Sequence, residues 1–387
     1  MKVTRRLSLL GTLFALLATL VLPVRPAGAA PAKTTDWSTA TVDSIMSRYP
    51  SATKLGGWGY QVGFALYGAY LVYERTHNPK YLTYVENWVD TYVDANGNIN
   101  QSFNSLDSMQ AGNLLVLLYQ QTKQARYKTA AAKIRARFTT YPRTSDGGMW
   151  HSTGLTDQLW LDGTYMSMPF LLRYGTEFDD TAYAQSQAAS AVLIDAAHLQ
   201  APNGLLYHAY DQNSISWQAP GTQHSPEFWC RAIGWYGMTT VTTLDSLPAD
   251  YPQRPQILTI LRNLVAGMAK YQDPKTGRWF QVVDKGSTAG NWTETSCSAM
   301  YTYVIDKSVK NGWVAASYHA NAVKGYNGVL AEVSKEANGL VDIANICEGT
   351  DVGNLAYYLA RPRATNDPHG LGAFLVMNEE YQGSPWA

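Results

Sequence analysis

Apolar residues recur at three- to four-residue spacing along nearly the whole chain, the mark of helices with one buried face. The spacing predicts helices near 60–77, 81–94, 106–121, 126–139, 159–174, 181–199, 225–244, 253–271, 294–309, 318–335, 351–360 and 370–381. Strand-like alternation is confined to short pieces. Five connecting turns resemble one another: DANGNI (94–99), SDGGMWH (145–151), APNGLLYH (201–208), KTGRWFQ (275–281) and EANGLVD (336–342). Each follows the second helix of a predicted pair and places a glycine before an apolar or aromatic residue. The marked glycines are Gly97, Gly148, Gly204, Gly277 and Gly339. Helix, helix, glycine turn and short extended piece, repeated, read as a helical-hairpin array.

Such an array can stack linearly or close on itself. A linear stack needs polar capping helices and near-constant repeat lengths. Here the repeats are uneven, and the final helix, GLGAFLVMNEEY (370–381), is apolar. Closure is therefore expected, giving an all-α fold, an (α/α)6 barrel of inner and outer helices. YQVGFALYGAYLVY (60–73) and WYGMTTVTTL (235–244), rich in small and apolar residues, read as inner helices. A site belongs where inner-helix ends and variable loops converge, although a fold alone does not give a function.

The first residues depart from this pattern. Lys2, Arg5 and Arg6 precede an apolar run from Leu7 to about Leu22, then small residues ending Ala27-Gly28-Ala29. That order predicts a secretory signal peptide over 1–30, which leaves a single (α/α)6-barrel domain over 31–387. The expected location is periplasmic or extracellular, by a general or a twin-arginine route. No other stretch is long and apolar enough to span a bilayer. The charges balance, 30 basic against 30 acidic, which argues against a nucleic-acid partner. Cys230, Cys297 and Cys347 allow one disulfide and one free thiol, with the pairing open. Their spacing fits no zinc pattern, so neither metal nor cofactor is expected.

Aromatic content, 26 Tyr and 12 Trp, suits a sugar site, because a flat ring covers a pyranose face. Four stretches open predicted inner helices at one end of the barrel: GGWGYQVGFAL (56–66), SLDSMQAGNLLVLLY (105–119), DQLWLDGTYMSMPFLL (157–172) and HSPEFWCRAIGWYGM (224–238). They supply Trp58, Tyr60, Asp107, Trp160, Asp162, Trp229, Arg231 and Trp235, and the YHAYD turn adds His208. Asp107 also reads as a helix cap. Asp162 lies among large apolar groups, which should raise its pKa and suit it to act as an acid. Arg231 amid tryptophans suits a forked contact with a carboxylate.

GGWGYQ, SLDSMQAG, DQLWLDGTYMSMPFL, YHAYD, SPEFWCRAIGWYGM, TETSCSAMYTY and NDPHGLGAFLVMNEEY resemble the unsaturated rhamnogalacturonyl hydrolases, glycoside hydrolase family 105, from about residue 50 onward. Unsaturated glucuronyl hydrolases, family 88, are related and share the paired aspartates. The resemblance implies an (α/α)6 barrel and a substrate left by polysaccharide lyases, with a 4,5-unsaturated uronic acid at its non-reducing end. It implies hydration of that double bond, with Asp162 as acid/base and Asp107 as the second aspartate. Tyr60, His208, Trp229, Arg231 and Trp235 match positions lining the family's pocket. Without the resemblance, the carboxylates would equally suit ordinary glycoside hydrolysis, and the aromatics a sugar-binding toroid without catalysis.

Overall fold

In chain order the helices of the computed structural model are α1 (Trp37–Arg48), α2 (Tyr60–Thr76), α3 (Pro79–Val89), α4 (Asp107–Gln110), α5 (Gly112–Thr122), α6 (Ala125–Arg137) and α7 (Leu161–Glu177). They continue as α8 (Thr181–Leu199), α9 (Cys230–Ser246), α10 (Arg254–Lys270), α11 (Thr295–Lys310), α12 (His319–Leu330), the short α13 (Leu355–Leu359) and α14 (Pro368–Gln382). The structure describes residues 35–213 and 217–382, so the expected signal peptide lies outside the described residues. None of the described helices is long and apolar enough to cross a membrane.

The inner helices close a ring. α2 packs on α14, α14 on α11, α11 on α9, α9 on α7, α7 on α4 and α5, and these return to α2. Around them lie α1, α3, α6, α8, α10 and α12, each against an inner neighbour. Composition explains the layers. α9 is buried without interruption from Cys230 to Val241, whereas α10 buries only the stripe containing Ile257, Leu261, Leu264, Val265 and Met268. A helix apolar all round belongs inside, and an amphipathic one belongs outside. Because an outer helix separates successive inner ones, all inner helices run the same way. Their N-termini meet at one mouth.

The last predicted pair is corrected by the structure. The 351–360 segment forms only the short α13, and the outer partner of α14 is α1, from the other end of the chain. Apolar periodicity misses α1 because its buried face includes hydroxyls: Ser38, Thr41 and Ser44 are buried beside Val42 and Ile45. Those hydroxyls are used. Ser44 Oγ accepts the Val341 amide at 2.8 Å, and Ser38 Oγ accepts Asn378 Nδ2 at 2.6 Å on α14.

The glycine turns form a structural repeat with one shift of register. In four of them the amide three residues before the glycine meets the carbonyl one residue after it: Asp94 with Asn98 at 3.0 Å, Thr144 with Gly148 at 2.8 Å, Ala201 with Leu205 at 2.8 Å and Glu336 with Leu340 at 2.8 Å. KTGRWFQ is one residue longer and joins Asp273 to Arg278 at 2.9 Å. The left-handed residues are Gly97, Gly147, Gly204, Gly277 and Gly339, with φ of 73, 98, 88, 73 and 85°. Gly147, rather than Gly148, is therefore the turn glycine of the second repeat. A Cβ on Gly204 would lie 2.1 Å from the Asn263 carbonyl oxygen, so the missing side chain lets this turn lie directly on α10.

Candidate active site

Each inner helix brings a polar residue to the mouth at or beside its first residue. Tyr60 begins α2, Asp107 begins α4, and Asp162 and Arg231 are the second residues of α7 and α9. Glu294 caps α11, and His369 is the second residue of α14. Converging helix N-termini favour anions there. A cleft of about 410 Å³ opens among Tyr60, Asp107, His151, Trp160, Asp162 and the 349–351 loop.

Two short strands set the Asp162 wall. β1 (Gln158–Trp160) pairs antiparallel with β2 (Ala209–Asp211), aligning Trp160 with Ala209. This brings His208 beside the start of α7. His208 is fully buried, and its Nε2 lies 3.0 Å from Asp162 Oδ2. Its Nδ1 lies 2.7 Å from the Tyr358 hydroxyl. Burial pushes the Asp162 pKa up, yet the charges and hydrogen bond of His208, with His151 and Arg231, outweigh it. The carboxyl is held below its ordinary pKa, reversing the direction expected from its apolar sequence neighbours. The decisive group comes from another repeat.

Asp107 faces His151, with Oδ2 3.6 Å from Nε2. It does not cap: Leu106 occupies the cap position and no side chain caps α4. Burial disfavours charge on His151, but Asp107 and Asp162 outweigh it and raise the histidine's pKa. The imidazole stacks on Trp160 at 4.3 Å between centroids and 6° between planes. Asp107, His151, Trp160, Asp162 and His208 thus form one continuous wall.

The other candidates stand differently. Trp58 does not line the cleft; it stacks on Trp88 at 5.3 Å and donates to the Ser108 carbonyl at 2.8 Å, fixing α4 against α2. Trp235 is buried under Tyr60, Phe64 and Tyr165. Trp229 is buried between His208 and Tyr358. The Arg231 guanidinium is also buried, and its terminal nitrogens donate to the Cys347 and Glu348 carbonyls. Its fork therefore grips the main chain that leads into the cleft-lining 349–351 loop, rather than standing free for a ligand carboxylate.

His151, Tyr358, Asp367 and His369 were not singled out by the sequence reading. A signal existed for His151. Counted from the left-handed glycine, it occupies the same place after Gly147 as His208 does after Gly204. Counted from Gly148, the correspondence is lost by one residue. Tyr358, on α13, has no comparable signal. The sulfurs also resolve: Cys230 and Cys297 form a disulfide, with Cα atoms 5.6 Å apart, and Cys347 is a buried free thiol. Among the described residues, Cys230, Glu294 and Cys297 are close enough to hold a metal ion, but those two sulfurs are bonded to each other.

Comparisons with known proteins agree with this architecture. The family model described as Glycosyl Hydrolase Family 88 matches residues 37–383. A family 105 glycoside hydrolase from C. acetobutylicum ATCC 824 is 32% identical and superposes with a TM-score of 0.86, covering 90% of this chain and all of that one (100%). An unsaturated glucuronyl hydrolase from Bacillus sp. GL1, described as responsible for glycosaminoglycan degradation, shares the fold at 12% identity, with a TM-score of 0.67 over 88% of this chain and 94% of that one. A protein of Agrobacterium fabrum is 30% identical over 237 residues, 56% of this chain and 97% of its own length. By sequence and by fold, the chain belongs to the glycoside hydrolases of families 88 and 105.

Proposed function

We propose that this glycoside hydrolase releases the 4,5-unsaturated uronic acid from the non-reducing end of lyase-generated oligosaccharides, with unsaturated rhamnogalacturonan disaccharides as the leading substrates. The observation that carries the reading is Asp162, a cleft-lining carboxyl hydrogen-bonded to a buried histidine that is itself held by a tyrosine. In this reading His208 carries a hydrogen on each ring nitrogen, so passing the Nε2 proton to Asp162 leaves a neutral imidazole whose Nδ1–H faces the Tyr358 hydroxyl. A substrate uronate entering the cleft adds negative charge and displaces water, and both effects raise the Asp162 pKa. The proton then belongs to the carboxyl, which can deliver it.

In this reading Asp162 protonates C4, the π electrons form the new C–H bond, and the positive charge at C5 is shared with the ring oxygen. Water adds at C5 and gives its proton to the Asp162 carboxylate, and the resulting hemiketal opens and expels the rest of the sugar. Asp107 and His151 supply charge beside Asp162 on the same wall, and Trp160 offers the ring its face not covered by His151. We also propose, from the N-terminal pattern alone, that the protein acts after export. The test follows the conjugated double bond, whose near-ultraviolet absorbance should vanish when the enzyme acts on unsaturated disaccharides. A panel differing in uronic acid and adjoining sugar ranks rhamnogalacturonan against ulvan and glycosaminoglycan fragments. Full retention of absorbance with every member would overturn the reaction.

A further inference from the structure

The stretch NDPHGLG (366–372) brings two polar side chains to the mouth that the hydration reading leaves without a task. His369 Nε2 lies 2.7 Å from the hydroxyl of Tyr60, which lines the cleft. On the other side of the ring, His369 Nδ1 lies 2.5 Å from Asp367 Oδ1, which also accepts the His369 main-chain amide at 2.9 Å. His369 is buried and meets the Tyr60 ring edge to face at 5.2 Å. Asp367, His369 and Tyr60 therefore form a line from the start of α14 into the cleft.

The chemistry of each group fixes where the hydrogens are. An ionised carboxylate only accepts, so His369 Nδ1 carries the hydrogen and donates it to Asp367. In a neutral imidazole Nε2 is then bare, and the hydrogen in its contact with Tyr60 comes from the phenol. Burial and the Arg231 charge disfavour a second proton more than Asp367 and Glu294 favour one, holding the histidine below its ordinary pKa. These groups face His369 from α9, from its own helix start and from the α11 cap, with Tyr60 facing it from α2. Tyr60 thus donates inward and leaves its oxygen lone pairs to the cleft.

We propose that Asp367 and His369 are positioning residues that hold the Tyr60 hydroxyl as a hydrogen-bond acceptor in the cleft, so that this corner takes an O–H donor and turns away the substrate carboxylate. The donor is a sugar hydroxyl or the attacking water. This inference rests on the hydration reading for the identity of the substrate, but not for the direction of the hydrogen bonds.

Asp367→Asn is the informative change, because its amide can donate to Nδ1, move the hydrogen to Nε2 and turn the Tyr60 hydroxyl into a donor toward the cleft. At neutral pH we expect about 10- to 100-fold lower kcat/KM, with a similar loss in Tyr60→Phe. The double variant should lose no more than Tyr60→Phe alone, since there is no hydroxyl left to orient. A loss carried by KM identifies the donor as a sugar hydroxyl, and a loss carried by kcat identifies it as water. Losses that multiply, or full activity in an Asp367→Asn enzyme whose His369 carries its hydrogen on Nε2, would overturn the proposal. NMR of nitrogen-labelled histidines in the unmodified protein gives a second reading that needs no substrate and no variant. His369 should be protonated on Nδ1 and bare on Nε2; the opposite tautomer would overturn the relay. If the unmodified enzyme turns over no unsaturated uronide, the hydration reading fails, and the tautomer still decides the hydrogen-bond direction.

Discussion

Asp162 is anionic at rest, and the proposed reaction asks it to act as an acid beside His208. Asp162→Asn keeps the shape of the side chain and removes the proton it would deliver. We expect turnover to fall by about 10²- to 10⁴-fold, with circular dichroism unchanged. Substantial residual activity would place the acid elsewhere. The same variant tests the electrostatics. The folded pKa of Asp162 lies below its ordinary value, so the stabilisation is present above about pH 4 and is lost as the pH falls through the lower folded value. Wild type should therefore melt above Asp162→Asn at neutral pH, and the gap should close on acidification below about pH 4. A gap that widens would reverse the assigned shift. At this scale, residue types and their placement at helix starts were legible for Asp107, Asp162 and Tyr60. The direction of the Asp162 shift and the role of Arg231 were not, because each depends on an atom far away in sequence: His208 for one, the Cys347 and Glu348 carbonyls for the other.

At the scale of elements, the glycine turns fix how each repeat lies against the next. Gly204 and Gly147 have similar backbones, with φ of 88 and 98°, but different surroundings. A methyl group on Gly204 meets the Asn263 carbonyl, whereas one on Gly147 meets nothing within 4 Å. Gly147→Ala should cost only the left-handed penalty of about 1–2 kcal/mol. Gly204→Ala should cost about 3 kcal/mol or more, since the main chain of α10 must also move. Urea unfolding of both variants separates the terms; equal losses would remove the turn–helix contact from the account. The inner and amphipathic outer helices were legible from apolar spacing, because they bury apolar stripes. α1 was not, because part of its buried face consists of serine and threonine hydroxyls satisfied by partners elsewhere.

At the scale of the whole molecule, ring closure was legible from the uneven repeats and the apolar last helix, while the identity of the closing pair was not. The Cys230–Cys297 disulfide ties the starts of α9 and α11, neighbours in the inner ring, across a sequence separation of 67 residues. Cross-linking a segment of that length stabilises by about 4 kcal/mol. Reduction should lower the melting temperature, and peptide mapping should recover Cys230 joined to Cys297 with Cys347 free. A bridge to Cys347 would contradict the assignment.

The ring is closed, but it is built from a chain made in order. α14 stands between α2 and α11, and it carries His369 across 309 positions of sequence to Tyr60. Until α14 docks, α2 and α11 each lack a neighbour, and Tyr60 lacks its His369 partner. The chain before that step is an open arc with two apolar flanks, a species that invites association with its own kind or with a chaperone. The same late event that hides those flanks brings His369 to Tyr60, so completion of the ring and completion of this corner of the mouth are one step.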